Sequence, residues 1–214
     1  YPSRVAPLRA GPFITAPGVA RVGQWGMIPE RSPTRKPTMR VKKPAKDGDG
    51  FVLVDVPMST NNARRERLTT AMTFKKSWLG GRRCLIPAMS FDEPYWGTNS
   101  NIWWRFRRAD GTPWALAGIW SEWVEPGTGE VVPSFTMITQ NCDAHPLLSL
   151  MHRFDKKLAA DKQDKRAVVP IEESDWGLWL EGTNEDAVSL IKLPDLAVFA
   201  HGAADPAQQV DIGV

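Results

Sequence analysis

Four side chains in this sequence are of the types that proton transfer and phosphate contact require: Asn62, Arg64, Glu93 and His152. An amide can both donate and accept hydrogen bonds, so Asn62 can hold a reacting group in one orientation. Arg64 can grip a phosphate with two parallel donors. Glu93 can move protons if burial raises its pKa, and His152 titrates nearest to neutrality. A core histidine among solvated polar side chains would fit the same spacing, so both interpretations stay open.

The stretch that must position Glu93 is residues 82–93. Two cations open it, and the apolar run 84–86 that follows is typical of a short buried strand. Pro87 has no N–H to give to a sheet, so the strand is predicted to end there. Asp92 and Glu93 are then expected in a loop just past the strand end, where a rigid scaffold can hold a catalytic acid. The alternative is a core strand followed by a solvated acidic turn.

The rest of the chain is rich in strands and poorer in helices. A hairpin is predicted about Asp110-Gly111. Segment 30–50 is expected to be a basic loop or excursion, too polar to pack. This order favours an α+β fold, a single domain over 1–214 with a mostly antiparallel, barrel-like β-sheet and a few flanking helices. Strands are predicted at 21–28, 51–56, 102–107, 114–123, 133–139 and 167–171, and helices at 70–79, 147–152, 174–180 and 186–192.

Charge is distributed unevenly along the chain. Residues 1–110 hold 20 Lys/Arg and 8 Asp/Glu, whereas residues 111–214 hold 7 and 16. A basic half interleaved with tryptophan indicates a polyanion surface, with nucleic acid as the first candidate. The alternative is a folded molecule on which the two signs mix in space. With 10 Trp and 2 Tyr, several tryptophans are expected to lie half exposed in a groove.

The cysteine and hydropathy patterns exclude several classes of protein. The 2 cysteines show no disulfide framework and no metal-ligand spacing, so no metal or other cofactor is predicted. The sequence has neither a signal peptide nor an apolar run of transmembrane length. It therefore predicts a soluble, cytoplasmic, monomeric protein with no membrane partner. Because it begins at Tyr1 rather than at methionine, we expect a longer natural chain.

Six motifs, in order and at matching spacing from about Tyr1 to Leu180, resemble those of one family. That family is SRAP, the SOS response-associated peptidases, also called abasic site processing proteins. The motifs are Trp25-Gly26-Met27-Ile28-Pro29, Asn62-Ala63-Arg64-Arg65-Glu66, Arg83-Cys84-Leu85-Ile86-Pro87-Ala88 with Phe91-Asp92-Glu93, Ala117-Gly118-Ile119-Trp120, Phe135-Thr136-Met137-Ile138-Thr139, and Met151-His152 with Asp164-Lys165-Arg166-Ala167-Val168-Val169.

The resemblance implies a nucleoid-associated protein that binds single-stranded DNA and forms a covalent crosslink with abasic sites. Its nucleophile would be a cysteine at the mature N-terminus, exposed when the protein removes its own initiator methionine. An abasic site exposes an aldehyde. The α-amine condenses with it to a Schiff base, and the adjacent thiol closes a thiazolidine ring.

The same resemblance assigns roles to residues of this chain. Asn62 would hold the attached residue and ring, Glu93 would act as acid or base near the amine, and His152 would donate protons. Trp25 and Gly26 would line the DNA groove, where a base stacked on Trp is worth about 1–3 kcal/mol. The DNA-contacting set implied in this way is Trp25, Gly26, Arg64, Trp96, Arg153, Lys165 and Arg166.

Three departures from the family pattern shape these expectations. The N-terminal cysteine is absent, and residues 1–7 resemble a region that lies some tens of residues after it, so we expect an upstream segment. Pro94 stands where the family has a wedge tryptophan, and Trp96 is expected to replace it. Residues 153–155 fit only a longer variant of the last motif, one that reaches Lys165 and Arg166.

Two rival functions remain. The first is a catalytically dead relative that uses the basic half and its tryptophans to bind single strands. The second is a metal-dependent hydrolase built on Glu93, His145 and His152, which lacks a ligand motif such as His-Glu-x-x-His.

Overall fold

A computed structural model describes residues 4–46 and 48–214, and the elements below are those of the described residues. The part of the family resemblance that rests on residues 1–3 lies outside them. The strands are β1 (Ala10–Thr15), β2 (Val19–Trp25), β3 (Thr38–Pro44), β4 (Phe51–Pro57), β5 (Asn62–Arg64), β6 (Arg83–Ala88), β7 (Phe91–Tyr95), β8 (Ile102–Arg108), β9 (Trp114–Val124), β10 (Val131–Asn141), β11 (Arg166–Val168) and β12 (Phe199–Ala203). The α-helices are α1 (Met72–Leu79), α2 (Trp176–Glu181) and α3 (Asn184–Leu190).

The main sheet is organised around β10 and closes on itself. Its order is β11-β10-β2-β1-β6-β9, and β9 pairs again with β10 while β5 lies along β10. Only the pairings of β10 with β2 and with β5 are parallel among those of this sheet. The α+β class and the mostly antiparallel, barrel-like sheet predicted from the sequence are confirmed.

Both faces of this sheet are covered, which explains the nearly continuous burial along β9 and β10. The helices cover one face, where Trp78, Leu85 and Trp179 are buried. Strand packing is tightest at Gly118 of β9. A Cβ atom there would lie 2.7 Å from the Ile86 Cδ1 atom and 2.8 Å from the Thr136 carbonyl oxygen, so only glycine fits.

A second sheet, in the order β12-β8-β7, packs over the other face. The core between the two sheets includes Phe13, Trp104, Phe106 and Phe135. Four tryptophans are essentially inaccessible to solvent in the described part of the molecule: Trp104, Trp114, Trp123 and Trp179. As expected from the sequence, others are partly exposed, among them Trp96 at 38% and Trp103 at 46%.

The structure corrects the expectation for the segment around Glu93. Pro87 does not end β6, which continues to Ala88 with Pro87 facing Ala115 of β9. Asp92 and Glu93 lie not in a loop but within β7, where Glu93 pairs with Trp104. Because neighbouring strand residues point to opposite faces, the two carboxylates are separated.

Other sequence-based boundaries were also wrong. The turn at Asp110-Gly111 does not join a hairpin, because β8 belongs to the three-stranded sheet and β9 to the barrel. Segment 147–152 is not a helix beyond the short 3-10 turn Leu148–Leu150. Strand β12 was not predicted, and segment 30–50 contains the unpredicted strand β3.

Strands β3 and β4 form a separate antiparallel pair, which we call the ribbon, with Thr38 opposite Pro57 and Pro44 opposite Phe51. In the described chain the ribbon pairs with no other strand. Its side chains are largely exposed, including Phe51 at 73% and Leu53 at 62%.

Cations from the basic half of the chain pair with carboxylates from the acidic half. The structure thus agrees with the alternative interpretation of the charge pattern, in which the two signs of charge mix in the folded molecule. Arg21 pairs with Glu122, Arg35 with Glu125 and Glu130, and Arg108 with Glu172, together with other pairs near the candidate site. None of the helices in residues 4–46 and 48–214 is long and apolar enough to span a membrane.

Candidate functional site

The structure brings Glu93 and His152 together, although 58 positions separate them in the chain. The Glu93 Oε2 atom lies 3.2 Å from the His152 Nε2 atom. The Glu93 side chain is 19% exposed and that of His152 is 37% exposed, so the pair stands at the border of core and solvent. A carboxylate and an imidazole in this contact can pass a proton between them and to a third group.

The backbone of His152 is held in an unusual conformation. Its φ is 62°, in the left-handed region that costs a non-glycine residue about 1–3 kcal/mol. Three contacts maintain it. The His152 N–H donates to the Pro94 carbonyl at 2.6 Å, and the Lys165 ammonium donates to the carbonyls of His152 at 2.6 Å and Met151 at 2.8 Å. Pro94 thus ties His152 to the strand that carries Glu93.

Lys165 is only 7% exposed, and burial lowers the pKa of its ammonium. Two of its three donors are used by backbone carbonyls. The placement differs from the solvent-facing cation that a phosphate contact needs. It suits a group that shapes the turn carrying His152.

The hydrogen bond that the His152 imidazole donates to the Glu93 carboxylate raises the pKa of His152, against the opposing effect of burial. The imidazole therefore holds its proton to higher pH than a free histidine does. A proton donor that stays loaded near neutral pH is the form that a general acid needs.

This shift makes a prediction about stability. Because the folded-state pKa of His152 is raised, its pairing stabilises the fold fully below the unfolded value of about 6.5, and the contribution is lost as pH rises through the folded pKa. The difference in Tm between the unmodified protein and Glu93→Gln should be largest near pH 5.5 and shrink toward pH 8.5. Thermal unfolding followed by circular dichroism across this range measures it.

Glu66→Gln is the matched control for that series. Glu66 pairs with Arg166 and its pKa is lowered chiefly by that hydrogen bond, so its contribution changes only in the acid range. Its Tm difference should be flat over the same pH values. A Glu93→Gln difference that is equally flat would contradict the assigned pair.

A second group of predicted residues forms a charge cluster. Arg64 donates to the Asp164 Oδ2 atom at 2.8 Å, and Arg166 contacts both Asp164 and Glu66. The Arg64 side chain is 53% exposed and that of Arg166 is 18% exposed. The Arg64 guanidinium is therefore paired with Asp164 yet accessible to solvent, whereas Arg166 is mostly enclosed by the two carboxylates that it contacts.

Trp25, Asn62 and Arg64 lie along one edge of β10. They pair with Phe135, Met137 and Thr139, respectively, so the three side chains are on the same face of the sheet. That face looks toward the three-stranded sheet that carries Glu93. The Trp25 indole N–H donates to the Asn61 carbonyl at 2.9 Å and fixes the half-buried ring beneath β5.

Gly26 ends this edge with a φ of 124°, which favours glycine. Its N–H donates to the Phe135 carbonyl at 2.8 Å, which directs the chain away from β10 immediately after Trp25. A side chain here would approach Leu8, at 3.3 Å from a Cβ atom. Leu8 and Arg9 cover the backbone here, since the Leu8 N–H donates to the Trp25 carbonyl at 2.6 Å and the Trp25 N–H donates to the Arg9 carbonyl at 2.9 Å.

Trp96 and Arg153 contact each other, and Trp96 lines the same cleft as His152. The Arg153 guanidinium carbon is 5.3 Å from the centre of the Trp96 ring, a cation–π contact. A cleft of about 320 Å³ opens here and is lined by Tyr95, Trp96, His152, Phe154 and Lys165, among others. The cleft thus presents aromatic rings and the His152 imidazole, with the Asp143 carboxylate also in its lining and Arg153 stacked on Trp96.

The structure adds contributors that the sequence did not single out. Asp164 joins Arg64 to Arg166, and the Pro94 carbonyl anchors His152. Asp143 accepts from the N–H groups of Asp164 and Lys165 and fixes their segment. Only the position of Asp164 within the last family motif could have drawn attention to it.

His145 does not join the candidate site. One ring nitrogen accepts from the N–H groups of Leu147 and Leu148 at 3.1 Å each, and the other lies 3.0 Å from the Pro194 carbonyl. Both nitrogens are therefore occupied by backbone. Within the described ranges, no group of three or more His, Cys, Asp or Glu side chains is arranged to hold a metal ion.

Both cysteines are free and buried. Burial raises the pKa of Cys84 well above its usual value, and burial together with the nearby Asp143 and Glu93 raises that of Cys142 to about 12. Neither thiol is a nucleophile at neutral pH.

Comparison with known proteins gives the following likenesses. The family model described as SOS response associated peptidase (SRAP) matches residues 4–201. A solved structure of a protein from Bordetella bronchiseptica is 30% identical, with a TM-score of 0.75 over 94% of this chain and 86% of that one. No curated protein sequence matches the chain.

Two more distant structures share the fold. A protein from Bacteroides thetaiotaomicron is 19% identical, with a TM-score of 0.68 over 93% of this chain and 75% of that one. A phage-related protein from Bordetella bronchiseptica is 15% identical, with a TM-score of 0.57 over 94% and 80%.

Proposed function

This chain belongs to the SRAP family, and on that premise we propose that it binds single-stranded DNA carrying abasic sites and becomes covalently attached to them. The observation that carries the proposal is the Glu93–His152 pair, 3.2 Å apart, with His152 lining a cleft beside Trp96, on whose ring Arg153 stacks. Family membership supports a role in DNA damage, and this geometry supports the chemistry.

The proposed reaction uses a cysteine at the mature N-terminus, outside this chain and exposed by self-removal of the initiator methionine. Its α-amine attacks the aldehyde carbon of the opened abasic sugar, and water leaves as the Schiff base forms. The thiol then adds to the imine carbon, and its proton passes to the nitrogen to complete the thiazolidine.

Each residue of the site has a task in this scheme. His152 donates a proton to the sugar oxygen as the ring opens, and later to the hydroxyl that leaves as water. Glu93 orients the His152 imidazole and receives protons from the amine. Asn62 orients the attached residue through its amide. Trp25 and Trp96 offer ring faces to bases, and Arg64 and Arg153 offer charge to phosphates.

Lys165 and Arg166 take a different place from the phosphate contacts expected from the sequence. We assign Lys165 to positioning His152, because its ammonium is buried against two carbonyls. We assign Arg166 to orienting Asp164, which in turn pairs with Arg64 and keeps it near the groove.

A pure single-strand binding module is the second candidate. The observation in its favour is the burial of Cys84 and Cys142, which leaves both thiols inaccessible as nucleophiles. Such a module would keep the groove and its cations, and Glu93 and His152 would serve only the fold.

Intact-mass measurement on the full natural protein separates the two candidates. The protein is incubated with a single-stranded oligonucleotide containing one abasic site, with the undamaged oligonucleotide as control. A mass increase equal to the abasic oligonucleotide less water supports covalent attachment. An unchanged mass together with tight binding of both oligonucleotides supports the binding module.

Arg64→Ala tests the phosphate contact. We expect weaker binding to every sequence and a salt slope of log K lower by about 0.7, the value for one phosphate of a single strand. Fluorescence anisotropy at a series of salt concentrations measures this slope.

Arg67→Ala is the matched control, since Arg67 is an exposed cation three positions away. It should leave the slope nearly unchanged. Equal effects of the two variants would remove Arg64 from the phosphate contacts and leave only a general electrostatic effect.

A further inference from the structure

The three-stranded sheet has an exposed side that the proposed site does not use, and we call this side of β7, β8 and β12 the outer face. Trp104 and Phe106 of β8 point into the core. The alternate residues of the same strand point outward, namely Trp103, Arg105 and Arg107. Because alternate residues of a strand lie about 6.8 Å apart, one aromatic ring and two cations form a line across the outer face.

The Trp103 ring is supported from one side and open to solvent. It lies opposite Pro94 of β7, and the Arg4 guanidinium carbon is 5.7 Å from the ring centre. On the other side of β8, strand β12 directs Ala200 and Gly202 outward, and neither has a side chain that could cover the sheet. The ring is 46% exposed, so a planar group of a ligand can reach it.

The outer face is positively charged. The charged residues that β7, β8 and β12 direct outward are Arg105, Arg107 and Asp92. Arg105 donates two hydrogen bonds to Asp92, at 2.8 and 2.9 Å, and Arg4 lies 3.8 Å from the same carboxylate. In the described part of the chain, Arg107 is exposed and forms no ion pair. Three guanidinium groups thus face one carboxylate, and that of Arg107 is available to an anion.

The outer face begins where the cleft of the candidate site opens. Strand β7 ends at Tyr95, which pairs with Ile102 at the start of β8. Trp96 follows Tyr95 directly and lines the cleft beside His152, and Trp103 follows Ile102 directly. A ligand chain that leaves the cleft past Trp96 can therefore pass onto the outer face at Trp103 and continue along β8 past the two arginines.

An exposed aromatic ring followed by guanidinium groups on a sheet suits a single-stranded nucleic acid. Unpaired bases have free faces that stack on an aromatic ring, and each nucleotide carries a phosphate that an arginine can contact. A double helix keeps its base faces stacked inside, so the tryptophan would gain nothing from it. An acidic peptide would meet the arginines but would offer no planar bases to the ring.

We propose that the outer face is a second binding surface for single-stranded nucleic acid, and that it takes the nucleotides that leave the cleft past Trp96. The inference rests on the proposed function for the identity of the ligand. It makes Trp103 a stacking platform and Arg107 a phosphate contact. The strand that the protein occupies is then longer than the cleft and Trp25 alone would hold.

Fluorescence anisotropy with two undamaged single-stranded oligonucleotides tests the inference. They are about 6 and about 16 nucleotides long, which spans the site sizes of single-strand binding surfaces. The variant is Trp103→Leu/Arg107→Gln. The control is Trp176→Leu/Lys75→Gln, which makes the same two kinds of change on the helices that cover the other side of the barrel. All four side chains are exposed, and circular dichroism verifies that each variant is folded.

The unmodified protein should bind the longer oligonucleotide more tightly than the shorter one. Trp103→Leu/Arg107→Gln should bind the longer one at least about ten-fold more weakly, with a salt slope lower by about 0.7 for the lost phosphate contact. Binding of the shorter one should change less than two-fold, as should all binding by the control. Unchanged affinity for the longer oligonucleotide, or equal losses at both lengths, would overturn the inference.

Photocrosslinking locates the strand directly. 5-Iodouracil is placed at one end or the other of the longer oligonucleotide, with an abasic site at its centre, and the complex with the full natural protein is irradiated. Mass spectrometry of the digested complex should find the label on the peptide that contains Trp103 for one of the two placements. Labelling that avoids β8 in both would contradict the proposed path of the strand.

Sedimentation of the same variants examines a different occupant. A protein that self-associates, and that becomes monomeric in Trp103→Leu/Arg107→Gln with affinity for the longer oligonucleotide intact, would make the outer face an interface between copies and overturn the inference. Covalent attachment to the abasic site is read separately. Its failure would refute the proposed reaction, whereas loss of the length dependence with attachment intact concerns the outer face alone.

Discussion

Replacing Glu93 with glutamine is expected to slow covalent attachment to abasic DNA by about a hundred- to ten-thousand-fold, the range for removal of one general acid–base group. Glutamine keeps the size of the side chain and can still hydrogen-bond to His152, but it can neither accept a proton nor hold the imidazole charged. Single-turnover crosslinking of the full natural protein, sampled from seconds to hours, measures the rate.

DNA affinity should be nearly unchanged by the same substitution, because Glu93 is a carboxylate and makes no favourable contact with phosphate. The pKa of His152 should fall, since the hydrogen bond that raises it is weakened. The alkaline limb of the crosslinking rate should therefore move to lower pH. NMR titration of the imidazole protons measures the pKa directly.

Asp92→Asn is the control for this series. Asp92 is the neighbouring carboxylate in β7 and accepts two hydrogen bonds from Arg105, at 2.8 and 2.9 Å. Its loss should lower stability with little effect on the crosslinking rate of the folded protein. A large loss of plain DNA binding in Glu93→Gln would instead make Glu93 a structural residue.

Replacing Lys165 with methionine is expected to lower the crosslinking rate by about a hundred-fold, although the Lys165 ammonium is buried and its hydrogen bonds go only to backbone carbonyls. Its ammonium fixes the Met151 and His152 carbonyls. Without it, the left-handed turn loses its support and His152 moves away from Glu93. A displacement of about 1 Å is sufficient for such a loss.

Lys162→Met supplies the matched comparison, because Lys162 is exposed in the same loop. It should retain the full rate. Loss of the Lys165 charge alone would raise the pKa of His152, whereas loss of the contact with Glu93 would lower it. A positioning role therefore predicts a His152 pKa in Lys165→Met that is lower than in the unmodified protein. A variant that lost activity only in proportion to its unfolded fraction would reduce Lys165 to a structural role.

The sequence predicted the barrel well because its signals are local. Strands β9 and β10 are long apolar runs with β-branched and aromatic residues, and Gly80-Gly81 correctly marks the end of α1. The family motifs lie on the elements that meet at β10. Membership and fold therefore followed from the order of these motifs.

The errors arose where distant partners decide the structure. Phe91–Tyr95 contains Asp, Glu and Pro and reads as a turn, yet pairing with Ile102–Phe106 makes it a strand. The Asp110-Gly111 turn forms, but burial against different cores sends its flanking strands to different sheets. The Lys165 ammonium donates to the His152 carbonyl and supports its conformation. This contact joins residues 13 positions apart, and the hydrophobic pattern around either residue does not indicate it.

The burial of Cys84 and Cys142 has a chemical consequence for a protein that meets aldehydes and other electrophiles. Because the pKa of the Cys142 thiol is raised to about 12, this thiol is almost entirely protonated at pH 8. An alkylating reagent such as iodoacetamide should therefore pass over both side chains while the fold is intact. Any thiol that is labelled in the native full-length protein would therefore be neither Cys84 nor Cys142. The amount of label would measure the proposed N-terminal nucleophile before any DNA is added.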